Sequence, residues 1–314
     1  MVVVRRVLAA AFAALALVTA GCARLPESSA DTGPQTADPG LGARQVVRDE
    51  VYAQRDTGPL KLDLFLPANR QGPAPLVVYV HGGGWDAGFR TLDKDLRTTE
   101  AVTAQRLLER GYAVATVDYR LSGVAQAPAQ VVDAGDAVRW LQDNSGRWKL
   151  DRDRVVLWGA SAGGQLVSQL AAVAGDPTKP GGGLTGLRGV VNWFGPTDMS
   201  AEAQVEHPEL GDYAQRVVHQ LLGCEPLECP AIADAASPIK NLSGDEPPFL
   251  IQQGTSDSIV PLDQSLDFAA KLRELGVPAA MHPYEGFDHG FNPSPQTPLI
   301  ADTVVAFVDT RFAR

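Results

Sequence analysis

The sequence has little of what metal and redox sites are made from. Its 314 residues include three cysteines and five histidines. No HExxH motif and no other paired-histidine spacing is present, so no metal site is predicted. No GxGxxG follows the first predicted strand and there is no GxxxxGKS/T, which argues against a dehydrogenase and an ATPase. We therefore expect chemistry that uses side chains alone, without a metal or cofactor.

Positive charge is also scarce. Lys and Arg total 27 against 37 Asp and Glu, a net charge of −10. An acidic chain without a run of basic residues repels phosphate backbones, so nucleic acid is not an expected partner. No internal repeat of about 20–50 residues is visible, which argues against a solenoid. The composition, 45% hydrophobic and 20% charged, is that of an ordinary globular protein.

The N-terminal apolar run is too short to cross a membrane. Two arginines precede the 14 residues Val7–Ala20, whereas a spanning helix needs about 20. The run is typical of an export signal, which we assign to residues 1–21. It ends in VTAGC, which resembles a bacterial lipobox with Cys22 as the lipidated residue, although Thr19 stands where Leu is usual. The alternative is an ordinary cleavage site with Cys22 incidental.

Residues 22–46 have few apolar side chains and many Ala, Pro, Gly, Ser, Thr and Asp. Such a segment buries too little surface to offset its ordering entropy, so a flexible tether is predicted. We expect an exported protein on the outer face of the bacterial cell membrane, which touches that membrane through the lipid on Cys22 alone. If Cys22 is not lipidated, a secreted protein is expected.

The other two cysteines, Cys224 and Cys229, lie five positions apart. An exported chain permits a disulfide between them. The alternatives are two free thiols or a metal site, but no neighbouring Cys or His completes a set of four ligands.

Apolar runs of strand length alternate with helical patterns. Leu76–Val80 is a continuous run, as expected of a strand covered on both faces. Leu60–Leu66 alternates around Lys61 and Asp63 in the manner of an edge strand. Strands separated by helices indicate βαβ units and a mostly parallel sheet. The predicted strands are Val51–Arg55, Leu60–Leu66, Leu76–Val80, Tyr112–Val117, Val155–Trp158, Leu187–Trp193, Phe249–Gln252 and Ala279–Tyr284.

This alternation predicts one α/β domain over residues 47–314, with about eight strands and helices on both faces of the sheet. Residues 200–241 break the alternation and are expected to form a small cap over the carboxyl edge of the sheet. Open α/β sheets bind ligands beyond the carboxyl ends of their strands. Motifs at strand ends therefore matter most for function.

The stretch GASAG (159–163) fits G-x-S-x-G between a predicted strand and a predicted helix. Gly159 and Gly163 are needed because side chains there would collide as the chain reverses. The turn lifts the Ser161 hydroxyl above the sheet at a helix N-terminus, where developing negative charge is favoured. Ser161 is therefore the candidate nucleophile. The alternative is a small-residue turn whose serine merely caps the helix.

A second motif, HGGGW (81–85), directly follows the predicted strand Leu76–Val80. Three glycines leave main-chain N–H groups uncovered, and each such donor to an oxyanion typically stabilises a transition state by about 3 kcal/mol. We assign these donors to Gly83, Gly84 and Ala162. His81 is expected to hold the loop by a hydrogen bond rather than to act as a base.

Two later strand-end loops supply a carboxylate and an imidazole. Asp257 follows a predicted strand, whereas its rivals Asp263 and Asp267 fall in the next helix. The chain order Ser, Asp, His leaves His282 and His289 as bases, and His289 is preferred because it lies in a glycine-flanked loop. An imidazole takes the serine proton and passes it to the leaving group, while the carboxylate fixes the imidazole tautomer.

Taken together, HGGGW and GASAGG resemble the motifs of the hormone-sensitive-lipase-like esterases in the α/β-hydrolase superfamily. Further stretches resemble the bifunctional feruloyl/acetyl-xylan esterases in particular. The resemblance covers about residues 60–300, and the stretches that carry it include VDYRLS (117–122), NWFGPTD (192–198), ASPIKNL (236–242) and PPFLIQQGTSDSIVP (247–261).

This resemblance implies an α/β-hydrolase fold and a serine carboxylic-ester hydrolase with Ser161, Asp257 and His289 as its triad. It implies short or medium acyl esters as substrates, either small molecules or acetylated or feruloylated carbohydrate. Peptidases and arylformamidases on the same fold are the alternatives within this class. A catalytically idle surface-binding module is the alternative outside it.

Lipidation of Cys22 has a direct test. Cells that express the full chain and are fed a radiolabelled fatty acid should yield labelled protein, because the lipidated cysteine becomes the first residue of the mature chain. Unlabelled wild-type protein would contradict the lipid anchor.

The cysteine pair is tested by mass spectrometry. Without reductant the intact protein should be lighter by two hydrogens than after reduction, because the Cys224 and Cys229 thiols are joined. Closing so short a loop is expected to contribute about 2 kcal/mol to the free energy of unfolding. Alkylation of both thiols without prior reduction would rule the disulfide out.

Overall fold

The computed structural model describes residues 41–206, 211–292 and 294–313. The expected export signal, Cys22 and the tether as far as residue 40 lie outside the described residues. Within these ranges no helix has both the length and the apolar character needed to cross a membrane.

The described residues form eight strands and nine α-helices; the first three strands are consecutive, and one or more helices separate each later strand from the one before it. The eight strands are β1 Gln45–Arg55, β2 Gly58–Leu66, β3 Ala74–Val80, β4 Ala113–Val117, β5 Leu150–Ala160, β6 Leu187–Trp193, β7 Phe249–Gly254 and β8 Ala279–Tyr284. The nine α-helices are α1 Thr99–Glu109, α2 Ala129–Asp143, α3 Ser145–Trp148, α4 Ala162–Val173, α5 Ala201–Glu206, α6 Asp212–Leu222, α7 Pro230–Ala236, α8 Leu262–Glu274 and α9 Thr297–Phe312.

All eight strands join one sheet in the order β1-β2-β4-β3-β5-β6-β7-β8. The strands from β4 to β8 pair in parallel, and β1 and β2 are antiparallel additions at one end. The predicted mostly parallel sheet of about eight strands is therefore confirmed. Consecutive side chains of a strand point to opposite faces, so β3 and β5 divide their residues between two cores: Val78 and Leu157 pack with α2, α4 and α8, while Val77 and Trp158 pack with α1 and α9.

The edge position expected for Leu60–Leu66 is wrong, because β2 lies between β1 and β4. The edge strand β1 is longer than the sequence pattern indicates. The polar residue that suggested an edge, Asp63, is in fact buried, and Arg48 and Arg90 each approach its carboxylate to 3.0 Å. A charge can lie inside a sheet when it is paired in this way.

The start of the domain also lies earlier than residue 47. Leu41 and Ala43 are 1% and 3% exposed, and the Arg44 N–H donates to the Leu66 carbonyl oxygen at 2.9 Å. The described end of the predicted tether, residues 41–46, is thus part of the packed domain. The sequence pattern misses this because the segment holds few large apolar side chains.

The predicted cap region contains α5, α6, α7 and a disulfide between Cys224 and Cys229. Gly223 directly follows helix α6 and caps its end, and its φ of +80° reverses the chain. The disulfide therefore closes the loop that leads from α6 to α7.

A sharp turn at Ser161, with φ +53° and ψ −121°, carries the chain from β5 into α4. A Cβ at Gly163 would overlap the carbonyl oxygen of Val80 at the end of β3, and one at Gly159 would overlap the carbonyl oxygen of Gly163. Both positions therefore require glycine, as the motif predicts. The Ser161 N–H donates to the Trp193 carbonyl oxygen at 2.8 Å, which ties the turn to β6.

The close approach at Gly163 predicts a large effect of a single methyl group. Gly163→Ala should lower the free energy of unfolding by at least about 2 kcal/mol, because the carbonyl it would meet belongs to the central strand β3. Gly146→Ala is the matched control, since an added Cβ there meets nothing within 4 Å, and it should leave stability unchanged or raise it by up to about 1 kcal/mol. Urea unfolding measures both. Equal stability of the two variants would contradict the packing described for this turn.

Candidate active site

The predicted functional motifs all follow strands of the parallel part of the sheet. The glycine-rich loop follows β3, Ser161 follows β5, Asp257 follows β7 and His289 follows β8. Since parallel strands present their carboxyl ends at the same edge of a sheet, residues far apart in the chain meet there.

The hydroxyl of Ser161 is directed to an imidazole rather than to its own helix. Its Oγ lies 2.9 Å from Nε2 of His289, and its side chain makes no capping hydrogen bond to α4. The alternative interpretation of Ser161 as a simple helix cap is therefore wrong. The positive φ at Ser161 is a strained conformation of the kind that concentrates at functional sites.

The second ring nitrogen of His289 faces Asp257. Nδ1 lies 2.9 Å from Oδ2 and 3.1 Å from Oδ1. The Asp257 side chain is fully buried and accepts hydrogen bonds from the main-chain N–H groups of Ile259 and Val260, both at 2.9 Å. The structure thus brings Ser161, His289 and Asp257 into one hydrogen-bonded row.

The rival residues lie elsewhere. His282 is exposed on β8, and Asp263 and Asp267 lie on α8. The preference for His289 and Asp257 over these three agrees with the geometry.

Two residues that the sequence analysis did not single out hold the imidazole in place. The Asp288 carboxylate accepts the His289 N–H at 2.7 Å and both the N–H and the hydroxyl of Ser258 at 2.8 Å. The bonds from His289 and Ser258 lower the pKa of the Asp288 carboxyl below its usual range. The ring of Phe194, at the end of β6, meets the His289 ring edge-on at 4.8 Å. Adjacency to His289 was the one signal in the sequence that pointed to Asp288.

The glycine-rich loop presents unpaired N–H groups. Gly83 and Gly84 have φ values of +112° and +59°, and the Gly83 carbonyl oxygen accepts the N–H groups of Asp86 and Ala87 at 3.2 and 3.0 Å. Ala162 is the first residue of α4, whose N–H has no partner within the helix. In the described part of the chain no acceptor binds the N–H groups of Gly83, Gly84 or Ala162. All three are thus available to an oxyanion.

His81 has the structural position expected for it. Its side chain is buried, its Nδ1 lies 2.7 Å from the Gly82 carbonyl oxygen, and its ring stacks on Tyr119 at 4.3 Å. Burial lowers the pKa of His81 below its ordinary value, which keeps the ring neutral. These contacts hold the start of the glycine-rich loop in place.

Two cavities, with volumes of about 50 and 230 Å³, meet at Ser161. The first is mainly apolar and is lined by Met199, Val217 and Val218 among others. Its acidic residue, Asp198, accepts the Ser200 N–H at 2.9 Å. The second contains His289 together with polar and aromatic side chains.

Helix α6 is attached to the glycine-rich loop between these cavities. Arg216 on α6 forms an ion pair of 2.9 Å with Asp86, and the ring of Tyr213 lies 5.3 Å below the Arg216 guanidinium. A Cβ at Gly84 would lie 2.6 Å from the Tyr213 hydroxyl. The cap region thus contributes directly to the walls around Ser161. Among the described residues no cluster of three His, Cys, Asp or Glu side chains could hold a metal ion.

Comparison with known proteins agrees with this fold. Esterase LipC of Mycobacterium tuberculosis is 29% identical over 228 residues, which are 69% of this chain and 54% of LipC. An arylesterase of Saccharolobus solfataricus is 29% identical over 274 residues, 82% of this chain and 83% of the arylesterase. The chain spans about half the length of several curated relatives that it matches.

A solved structure described as a truncated form of a carbohydrate esterase from gut microbiota superposes with a TM-score of 0.70 at 23% identity. It covers 86% of this chain and is itself covered to 97%. This likeness confirms the predicted α/β-hydrolase fold. A family model described as BD-FAE matches residues 62–272, which include the glycine-rich loop, Ser161 and Asp257. Because that match extends over more than half of the sequence, the chain belongs to the BD-FAE family.

Proposed function

We propose that the protein is a serine carboxylesterase that cleaves short or medium acyl esters through an acyl-enzyme intermediate. The observation that supports it most is the unbroken row of hydrogen bonds from Asp257 through His289 to Ser161, with contacts of 2.9 Å at both ring nitrogens. The esterase names of its relatives support the same class.

In the acylation step, the Ser161 oxygen attacks the ester carbonyl carbon while its proton passes to Nε2 of His289. The carbonyl oxygen becomes an oxyanion that the N–H groups of Gly83, Gly84 and Ala162 can bind. The carbon–oxygen bond to the alcohol then breaks, and His289 gives its proton to the departing alkoxide. A water molecule repeats the sequence on the acyl-enzyme and releases the acid.

Asp257 would orient and stabilise the imidazole in each step. It accepts a hydrogen bond from the Nδ1–H group, which leaves Nε2 unprotonated and able to take the serine proton, and its negative charge favours the imidazolium that forms. The buried carboxylate is fixed by the N–H groups of Ile259 and Val260, so the ring cannot turn away without losing its bonds to Asp257.

The apolar cavity suits the acyl group. Its lining of Met199, Val217, Val218 and Val260 offers dispersion contacts to an alkyl or aryl chain. Acetylated and feruloylated carbohydrates are the natural substrates that this proposal includes, and the carbohydrate esterase with the same fold is consistent with them. A peptidase, an arylformamidase and an idle binding module are the outcomes against which the proposal is tested.

We also propose that the protein is exported and lipid-anchored through Cys22 on the outer face of the membrane. The support is the apolar run followed by VTAGC. A Cys22→Ser variant, which cannot be acylated at this position, is the control for the fatty-acid labelling described above.

The nucleophile assignment predicts the effect of one substitution. Ser161→Ala should lower kcat/KM for p-nitrophenyl butyrate by about 10³-fold or more, because the attacking oxygen is removed. Ser145→Ala, at the start of α3, is the matched control and should keep the wild-type rate. Both variants should keep the wild-type melting temperature.

One result would contradict the nucleophile assignment, and three others would contradict the proposed esterase function. Retained esterase activity in Ser161→Ala would require another nucleophile. Wild-type protein that ignores short esters but cleaves Xaa-Pro amides would indicate a peptidase, and one that cleaves only aryl formamides would indicate an arylformamidase. Wild-type protein that cleaves none of the short esters, Xaa-Pro amides and aryl formamides would indicate a catalytically idle binding module.

A further inference from the structure

A carboxylate with no role in the triad lines the cavity that contains His289. Glu100, in the first turn of α1, shares this cavity with Tyr79, Phe194 and His289. The mechanism described above uses His289 alone among these four side chains.

The first turn of α1, which carries Glu100, is fixed by the residues on either side of Glu100. The Thr98 hydroxyl oxygen caps α1 by accepting the Ala101 N–H at 3.1 Å. The next hydroxyl, that of Thr99, donates to the Phe291 carbonyl oxygen at 2.7 Å, two residues beyond His289. The first turn of α1 and the His289 loop are therefore tied together.

The Glu100 carboxylate differs from the buried carboxylates Asp63 and Asp133 of this domain. Asp63 is paired with two arginines, and the fully buried Asp133 is paired with Arg55 and Arg120 at 2.8 and 2.7 Å. Among the described residues no other side chain bonds to the Glu100 carboxylate, whose one donor is its own main-chain N–H. Glu100 is only partly exposed and lines this cavity, so its carboxylate is available to a ligand that enters.

Tyr79 offers a donor beside this acceptor. Burial and, after it, the nearby charge of Glu100 raise the pKa of Tyr79 well above its ordinary value, so the phenol keeps its proton. Burial likewise raises the pKa of the Glu100 carboxyl above its usual range, against the opposing effect of its own N–H. The wall of the cavity thus combines a hydrogen-bond donor with an acceptor.

The position of His289 decides which half of an ester occupies this cavity. His289 must pass its proton to the departing alkoxide, so the alcohol half has to lie on the side of the imidazole. The apolar cavity is lined by Ala162 but not by His289, whereas the cavity with Glu100 is lined by His289. The acyl half therefore occupies the apolar cavity and the alcohol half lies against Glu100.

We propose that Glu100 and Tyr79 bind a hydroxyl group of the leaving alcohol and thereby select esters of polyhydroxylated alcohols. This inference rests on the proposed esterase function. A hydroxyl group both donates and accepts, so it satisfies Glu100 and Tyr79 at once. A quaternary ammonium group would leave the Tyr79 donor unused, and an anionic alcohol would be repelled by the carboxylate.

The test compares two esters with the same carbon skeleton, glycerol 1-monobutyrate and propyl butyrate. Wild-type protein should favour the glycerol ester in kcat/KM by about tenfold or more, as expected for a hydrogen bond to a charged group. Glu100→Leu should abolish this preference and leave propyl butyrate within about twofold of wild type. Glu100→Gln should keep most of the preference, because its amide oxygen still accepts a hydroxyl proton.

Several outcomes would overturn the inference. One is an equal loss of kcat/KM on both esters in Glu100→Leu, which would indicate a structural role. A second is an unchanged preference for the glycerol ester in that variant. A third is a preference for butyrylcholine that Glu100→Gln and Glu100→Leu lose equally, which would mark a cation site. If Glu100→Leu fails to fold, Tyr79→Phe takes its place and should reduce the preference without changing the propyl butyrate rate.

The proposed function is tested separately within the same assay. Activity on propyl butyrate that depends on Ser161 supports the esterase whatever happens to the glycerol preference. Loss of the preference with that activity intact concerns Glu100 and Tyr79 alone.

Discussion

The close crossing of the β5–α4 turn over the end of β3 is the constraint on which the site depends. At Gly163 the helix backbone approaches the Val80 carbonyl so closely that no side chain fits. At this crossing Ser161 has a positive φ, and the N–H of Ala162 is set beside the loop that follows Val80. One steric condition thus places the candidate nucleophile next to both sets of candidate oxyanion donors.

Parallel strand order supplies the remaining groups. Strand β6 lies between β5 and β7, and its end does two things: the Trp193 carbonyl holds the Ser161 N–H, and Phe194 packs against the imidazole of His289. The Asp257 and His289 loops come from the next two strands and are tied together through Asp288, which bonds to both. Residues separated by more than a hundred positions therefore meet without any long connecting segment.

What the sequence reveals and what it conceals have a common physical cause. Ser161, Gly159 and Gly163 can be predicted from the sequence because a local backbone conformation requires these residue types. The greater length of β1 and the interior position of β2 could not be predicted from the sequence. They involve ion pairs of Arg48 and Arg90 with Asp63, which join residues distant in the chain. The role of Glu100 could not be predicted for the same reason. Its position in the cavity that contains His289 follows from a bond between Thr99 and Phe291, 192 positions apart.

The distribution of charge around buried carboxylates separates structural from chemical roles. Asp63 and Asp133 are each neutralised by two guanidinium groups. A carboxylate paired in this way could not stabilise an imidazolium that forms only during a reaction. Asp257 is equally buried but is held by main-chain N–H groups, which fix its orientation without cancelling its charge. Its full negative charge therefore remains for the imidazolium of His289. Glu100 differs from all three: it is partly exposed, lines a cavity and has no guanidinium partner in the part of the chain that the structure describes, so its carboxylate can bind a molecule that enters.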